Sequence, residues 1–201
     1  MPTEPNLVLA SGSRTRQDML SAAGLVVDVH PASVDESAVK QHLLSDGIAP
    51  DRLAAELAAA KALDVAARRP SDLVIGADQV LEFDGRPFDK PPTIEAARRQ
   101  LMILRDAEHR LLSAVVVARG EAVLWRHVET ARLRVRPFSD AFIDDYLARI
   151  GEAATRSVGG YQLEGPGVQL FDRVEGDFFT VLGLPLLPLL DFLREQGALA
   201  T

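Results

Sequence analysis

Leu7-Val8-Leu9-Ala10-Ser11-Gly12-Ser13-Arg14-Thr15-Arg16-Gln17-Asp18-Met19-Leu20 carries more of the reading than any other stretch of the chain. A short apolar run ends in a Ser-Gly-Ser turn, and a helical pattern then opens with two arginines in its first turn. Strand, tight loop and helix N-terminus together leave unpaired backbone N–H groups at the positive end of a helix dipole, which suits a phosphate. Cations are ordinarily unfavourable there. Two of them make sense if an anion sits between them and the dipole. The alternative is a junction capped by Ser13, with Arg14 and Arg16 simply solvated.

Outward from this stretch, strand and helix patterns alternate along the whole chain. Residues 7–10 predict a buried strand, 14–23 a helix closed by Gly24, and 25–29 a second strand. Asp51 to Arg69 predicts a long alanine-rich helix, started by Pro50 and stopped before Pro70. Residues 73–75 and 79–83 read as two short strands, the second turned by Asp84-Gly85, and Ile94 to Arg105 as a helix. His109–Arg119 and Ala122–Arg136 predict a hairpin around Gly120-Glu121. Ser139 caps a helix through Ile150, residues 158–167 are a glycine-rich loop, and 168–174 form a strand. Pro185 to Glu195 closes the chain as a helix, and residues 198–201 are expected to fray. With no repeat, low-complexity tract or linker, residues 1–201 read as one α/β unit with two lobes around a cleft.

An apolar fraction of 47% over 201 residues is enough to bury a substantial core. Zero cysteines exclude disulfides, thiolate metal sites and cysteine nucleophiles. His30, His42, His109 and His127 lie far apart without ligand spacing, which points away from a histidine metal site and leaves oxygen ligands open. A net charge of −7 argues against nucleic acid as a partner, but not against a small anion in a local basic pocket. No basic segment followed by an apolar core opens the chain. The most apolar stretch, Phe178 to Leu193, is broken by Gly183, Pro185, Pro188 and Asp191, so no membrane span is expected. The expectation is a cytoplasmic protein.

Four ionisable residues sit where chemistry is a reasonable use for them. Lys61 falls in the row Leu53, Leu57, Lys61, Val65 on the apolar stripe of its helix, where it either snorkels at the edge or points into a pocket. Asp78 follows the buried run Leu73-Val74-Ile75-Gly76-Ala77, at the kind of strand end where α/β clefts lie; an Asx-turn is the alternative. Lys90, in Asp89-Lys90-Pro91-Pro92, has its backbone held extended by the following proline. Glu36 reads most simply as a solvated loop acid. Together, Arg14, Arg16, Lys61 and Lys90 can neutralise a polyphosphate, while Asp78 and Glu36 can hold Mg²⁺ or Mn²⁺ and orient water. Neither a Walker A motif nor G-x-G-x-x-G is present.

From Leu7 to about Leu190 the chain resembles the Maf family of nucleoside triphosphate pyrophosphatases. The resemblance rests on Leu9-Ala10-Ser11-Gly12-Ser13 with Arg16, Asp35-Glu36, Lys61-Ala62, Gly76-Ala77-Asp78-Gln79 and Lys90-Pro91. It continues through Gly159-Gly160-Tyr161, Glu164-Gly165, Glu175-Gly176-Asp177 and Gly183-Leu184-Pro185. Each piece is short, but their order and spacing are specific. The resemblance implies metal-dependent hydrolysis between the α and β phosphates, and a single inosine-triphosphatase-like α/β fold with a mixed curved sheet, a central cleft and often a homodimer. It makes Asp78 the catalytic aspartate, Ser11, Ser13, Arg16, Lys61 and Lys90 the phosphate side, and Glu36 the acidic partner. One departure stands out: where the family usually reads Ser-x-Ser-Pro-Arg-Arg, this chain has Ser13-Arg14-Thr15-Arg16. Thr15 therefore falls at a position associated with substrate choice.

Two more positions bear on the base. Branches acting on dTTP and UTP tend to carry Asp-Thr and later Gln-Gly, whereas this chain has Asp78-Gln79 and Glu164-Gly165. The latter pair is similar to the branch that prefers 7-methyl-GTP. A carboxylate accepts from the guanine N1–H and 2-amino groups and favours a base made cationic by N7 methylation. The expectation is a house-cleaning pyrophosphatase leaning to 7-methyl-GTP. A dTTP/UTP-selective enzyme of the same family and a non-catalytic nucleotide-binding regulator of septation are the alternatives.

Overall fold

In the computed structural model, which describes residues 6–200, β1 (Leu7–Leu9) lies between β2 (Val27–Val29) and β3 (Leu73–Phe83) and runs parallel to both. β3 outruns β1. Its far end pairs antiparallel with β4 (Arg86–Phe88), from Leu81 onward, on the same edge that β1 uses. The opposite edge pairs with β5 (Glu108–Arg119) from Val74 to Glu82. β6 (Ala122–Val135) and β7 (Phe171–Glu175) complete a seven-stranded mixed sheet. Between Ile75, the last partner of β1, and Leu81, the first partner of β4, one edge of β3 has no strand beside it. The sheet forks there, and Asp78 lies at the fork.

The helices are α1 (Arg14–Ala22), α2 (Glu36–Ser45), α3 (Pro50–Ala66), α4 (Ile94–Leu104), α5 (Asp140–Ile150), α6 (Phe178–Val181) and α7 (Leu186–Glu195). The alanines of α3 let it lie almost backbone to backbone on β3. A Cβ at Gly76 would stand 2.2 Å from Ala58 O and 2.7 Å from Ala62 N, so only glycine fits. Side chains alternate across β3 as a strand requires. Val74 and Val80 face α3 together with Val8, Leu112 and Val116. Leu73, Ile75 and Ala77 face the other way, against Val115, Leu184 and Phe192. Beyond the fork, Leu81 joins Leu101, Leu111, Leu133, Ile143 and Tyr161. No helix among the described residues is long and apolar enough to cross a membrane.

Several expected boundaries are corrected. Residues 73–83 are one strand, because Gly76 and Asp78 pair with Val116 and Ala114 of β5 rather than breaking the run. The Asx-turn alternative for Asp78 falls with that. The strand expected at 168–174 begins at Phe171, after a 3₁₀ turn over Pro166–Leu170 that Pro166 starts. Residues 36–45 are helical, capped by the Asp35 side chain, which accepts from Ala38 N. Ala198 and Leu199 pack against the core instead of fraying, and Thr201 lies outside the described residues.

His109 on β5 is 1% exposed, with Nε2 2.6 Å from Tyr161 Oη and no partner for Nδ1. Burial lowers its pKa to about 4, against the opposing pull of Glu108 and Glu82. The folded state therefore binds fewer protons than the unfolded one between the ordinary value of 6.5 and about 4. The stability this contributes is fully present above that window and is lost as pH falls through it, by about 3 kcal/mol in total. His109→Gln keeps a partner for Tyr161 and removes the titration. Urea unfolding at neutral pH and at about pH 4.5 is expected to show a smaller acid loss in the variant; equal losses would contradict this account.

Candidate active site

The loop from β1 to α1 is built by its own serines. Ser13 Oγ caps α1 by accepting from Arg16 N at 3.4 Å, and Ser11 Oγ accepts from Ser13 N at 3.3 Å. Each hydroxyl retains its own proton to donate. Arg16 is buried and braces the fork. Its Nε donates to Gly183 O at 2.8 Å, and its Nη1 donates to Ala77 O at 2.9 Å and to Ser11 Oγ at 3.2 Å. Burial lowers the Arg16 pKa, opposed by Asp78 and Glu36; the guanidinium stays charged, and among the described residues nothing bonds its Nη2.

Lys61 reaches the fork from α3. The close approach at Gly76 brings its Nζ to 2.5 Å from Asp78 Oδ1, on the α3 face of β3. The same ammonium lies 2.8 Å from Glu36 Oε2, at the first position of α2. Lys61 and Asp78 are both buried, at 7% and 8% exposure, whereas Glu36 is open to solvent. Lys90 arrives from the loop after β4. Although it is solvent-exposed, nearby protein displaces part of its hydration and lowers its pKa. Arg16 and Lys61 add to that shift, and Glu36 and Asp78 oppose it. Three cations and two carboxylates thus lie within electrostatic reach of one another, with one net positive charge among them.

The other expected positions divide. Arg14 is exposed and pairs with Asp18 at 3.0 Å, on a different face of α1 from Arg16, since residues two apart on a helix do not share a face. Thr15 and Glu164 come together, lining a cavity of about 450 Å³ with Asp18, Met19, Phe178 and Phe179. Gln79 is not with them. Its amide is committed to Ser113 Oγ and to the carbonyls of Thr180 and Val181, at 3.0–3.2 Å, on the face of β3 opposite Asp78. Glu36 is a helix-start acid in an ion pair rather than a solvated loop acid. Sequence reasoning missed Lys40, whose ammonium bonds the Asp89 carboxylate beside Lys90. It also missed Asp18, Phe178 and Phe179. The spacing of Val39 and Leu43 behind the Asp35 cap was the available signal for α2.

A family model described as Maf-like protein matches residues 6–196. The chain belongs to the Maf family. The 7-methyl-GTP pyrophosphatase of Rhizobium etli is 51% identical over 195 residues, covering 97% of this chain and 98% of that protein. The nucleoside triphosphate pyrophosphatase of Paramagnetospirillum magneticum is 54% identical over 192 residues, covering 96% and 99%. Among solved structures, the Staphylococcus aureus Ham1 protein aligns over 67% of this chain and 72% of that one, with a TM-score of 0.39 at 16% identity, a likeness too shallow to build on.

Arg16→Lys keeps the charge but loses the brace joining α1, β3 and the turn at Gly183. Losing charge-assisted bonds to two buried carbonyls is expected to destabilise the fold by about 2 kcal/mol or more in urea unfolding. Unchanged stability would remove the bracing role.

Proposed function

We propose that this protein is a cytoplasmic, metal-dependent nucleoside triphosphate pyrophosphatase that releases the monophosphate and pyrophosphate, with a preference for 7-methyl-GTP. The observation that carries the proposal is the convergence of Lys61, Arg16 and Lys90 on the buried Asp78 at the fork of the sheet. The names of the relatives support the same reaction.

In this reading the three cations bind the triphosphate and stabilise charge as it develops on the departing pyrophosphate. Asp78 accepts a proton from the attacking water, and Lys61 holds the carboxylate in line for it. Glu36 and Asp78 both reach the Lys61 ammonium, so these two carboxylates would hold a hard divalent ion bound with the nucleotide, exchanging part of their contact with Lys61 for it. No group of three acidic or histidine side chains forms a metal site among the described residues, which leaves phosphate and water to supply the other ligands. The chemistry supplied by such an ion is neutralisation of phosphate charge and acidification of water. One net positive protein charge is well short of a triphosphate tail, so neutralisation by a metal is in keeping with the site.

Selectivity is assigned to the cavity that Thr15 and Glu164 share. Phenylalanine rings and the carboxylate of Glu164 suit a planar base carrying positive charge, Asp18 being already paired with Arg14. Uracil and thymine present one N–H between two carbonyls, which a carboxylate meets poorly.

Pyrophosphate release from 7-methyl-GTP, GTP, UTP and dTTP, with and without Mg²⁺ or Mn²⁺, tests the reaction. Asp78→Asn is expected to cut turnover by about a hundredfold or more while keeping nucleotide binding. Near-parental turnover would take Asp78 out of the mechanism, and tight binding without release by the parent would favour a regulator. Glu164→Gln is expected to lower the 7-methyl-GTP to UTP ratio of kcat/KM by about tenfold. An unaltered ratio refutes the base assignment.

A further inference from the structure

Lys90 and Glu164 stand on separate loops, and one side chain outside the described chemistry touches both loops. Gln100 is half-buried on α4. Its Nε2 donates to Asp89 O at 2.8 Å, fixing the peptide that joins Asp89 to Lys90. Its Oε1 accepts from Gly159 N at 3.2 Å, five residues ahead of Glu164. The partners dictate which way the amide points: a carbonyl can only accept and a backbone N–H can only donate. One turn earlier on the same helix face, Ala97 supports the second loop at close range. A Cβ on Gly160 would lie 3.1 Å from Ala97 Cβ, and Gly160 itself is at φ +74°. The Asp89 side chain is held from the other side by Lys40 of α2, so the segment carrying Lys90 is clasped on both flanks.

We infer that Gln100 is a positioning residue that sets the phosphate-binding loop and the base-reading loop through the two ends of one amide. The inference rests on the proposed function, because it needs Lys90 to meet phosphate and Glu164 to meet the base. Neither loop is part of a strand or a long helix at these points, so their placement depends on such side-chain ties. A helix is a rigid mount for both. Because the two hydrogen bonds leave from different atoms, substitutions can cut them separately.

Gln100→Glu keeps an oxygen for Gly159 N–H and loses the donor to Asp89 O. Gln100→Lys keeps a donor and loses the acceptor, and Gln100→Met loses both. All three residue types are good helix formers. The readouts are calorimetric binding of inorganic tripolyphosphate and the ratio of kcat/KM for 7-methyl-GTP over UTP. Gln100→Glu is expected to weaken tripolyphosphate binding about three- to tenfold, with the nucleotide ratio kept within about twofold. Gln100→Lys is expected to do the reverse, and Gln100→Met to move both. Parental values in all three variants, or both readouts moving together in every variant, overturn the inference; the second pattern is what a merely structural residue gives. Tripolyphosphate binding needs no turnover. A parent that releases no pyrophosphate from any nucleotide therefore overturns the proposed function, while Gln100→Glu still decides the phosphate arm.

Discussion

The contact of α3 with β3 at Gly76 is the constraint on which the rest of the structure depends. A lysine side chain has a fixed reach, and Lys61 meets Asp78 only because helix and strand backbones nearly touch at the residue two before it. Any side chain at position 76 would push α3 outward, since the obstacle is the backbone carbonyl of Ala58 rather than a movable side chain. The alanines at 54, 58 and 62 serve the same close approach. Packing geometry and site geometry are therefore one arrangement here.

The second element of the site is the divergence of β1 from β3. After Ala10 N bonds Ile75 O, the chain turns away through Ser11 to Ser13, and Arg16 returns to take up Ala77 O. A backbone carbonyl that a neighbouring strand would ordinarily satisfy is satisfied by a guanidinium instead. The positive charge is thus held at the fork by the need to pair the main chain, and among the described residues nothing bonds its remaining nitrogen.

Much of this was legible in the sequence. The strand, turn and capped helix of residues 7–22 were readable because local signals and long-range packing agree there. The sequence places Asp78 at a strand end because Gly76-Ala77-Asp78 looks like a break, and only pairing with the distant β5 overrides that. Proximity in sequence groups Arg14 with Arg16, but a helix turns residues two apart to different faces, and Arg14 pairs with Asp18 instead. α2 went unread because none of its residues is buried, so its apolar stripe is weak and its cap is the main cue. Gln79 sits beside Asp78 in the chain, but strand alternation sends its amide to the opposite face. The pairing of Thr15 with Glu164 links segments far apart in sequence, and no local pattern encodes it.

β3 and β5 share an unbroken ladder from Val74 to Glu82, running past the fork from one arm of the sheet to the other. Both arms of the sheet hang from that single girder, joined by continuous strand pairing rather than by a flexible link. A vessel of this kind is shaped before its guest arrives, and little reorganisation is left for the moment of reaction. On the proposed function, Lys90 and Glu164 are carried on the short segments around residues 89–92 and 157–165, which stand outside that ladder and are free of its pairing.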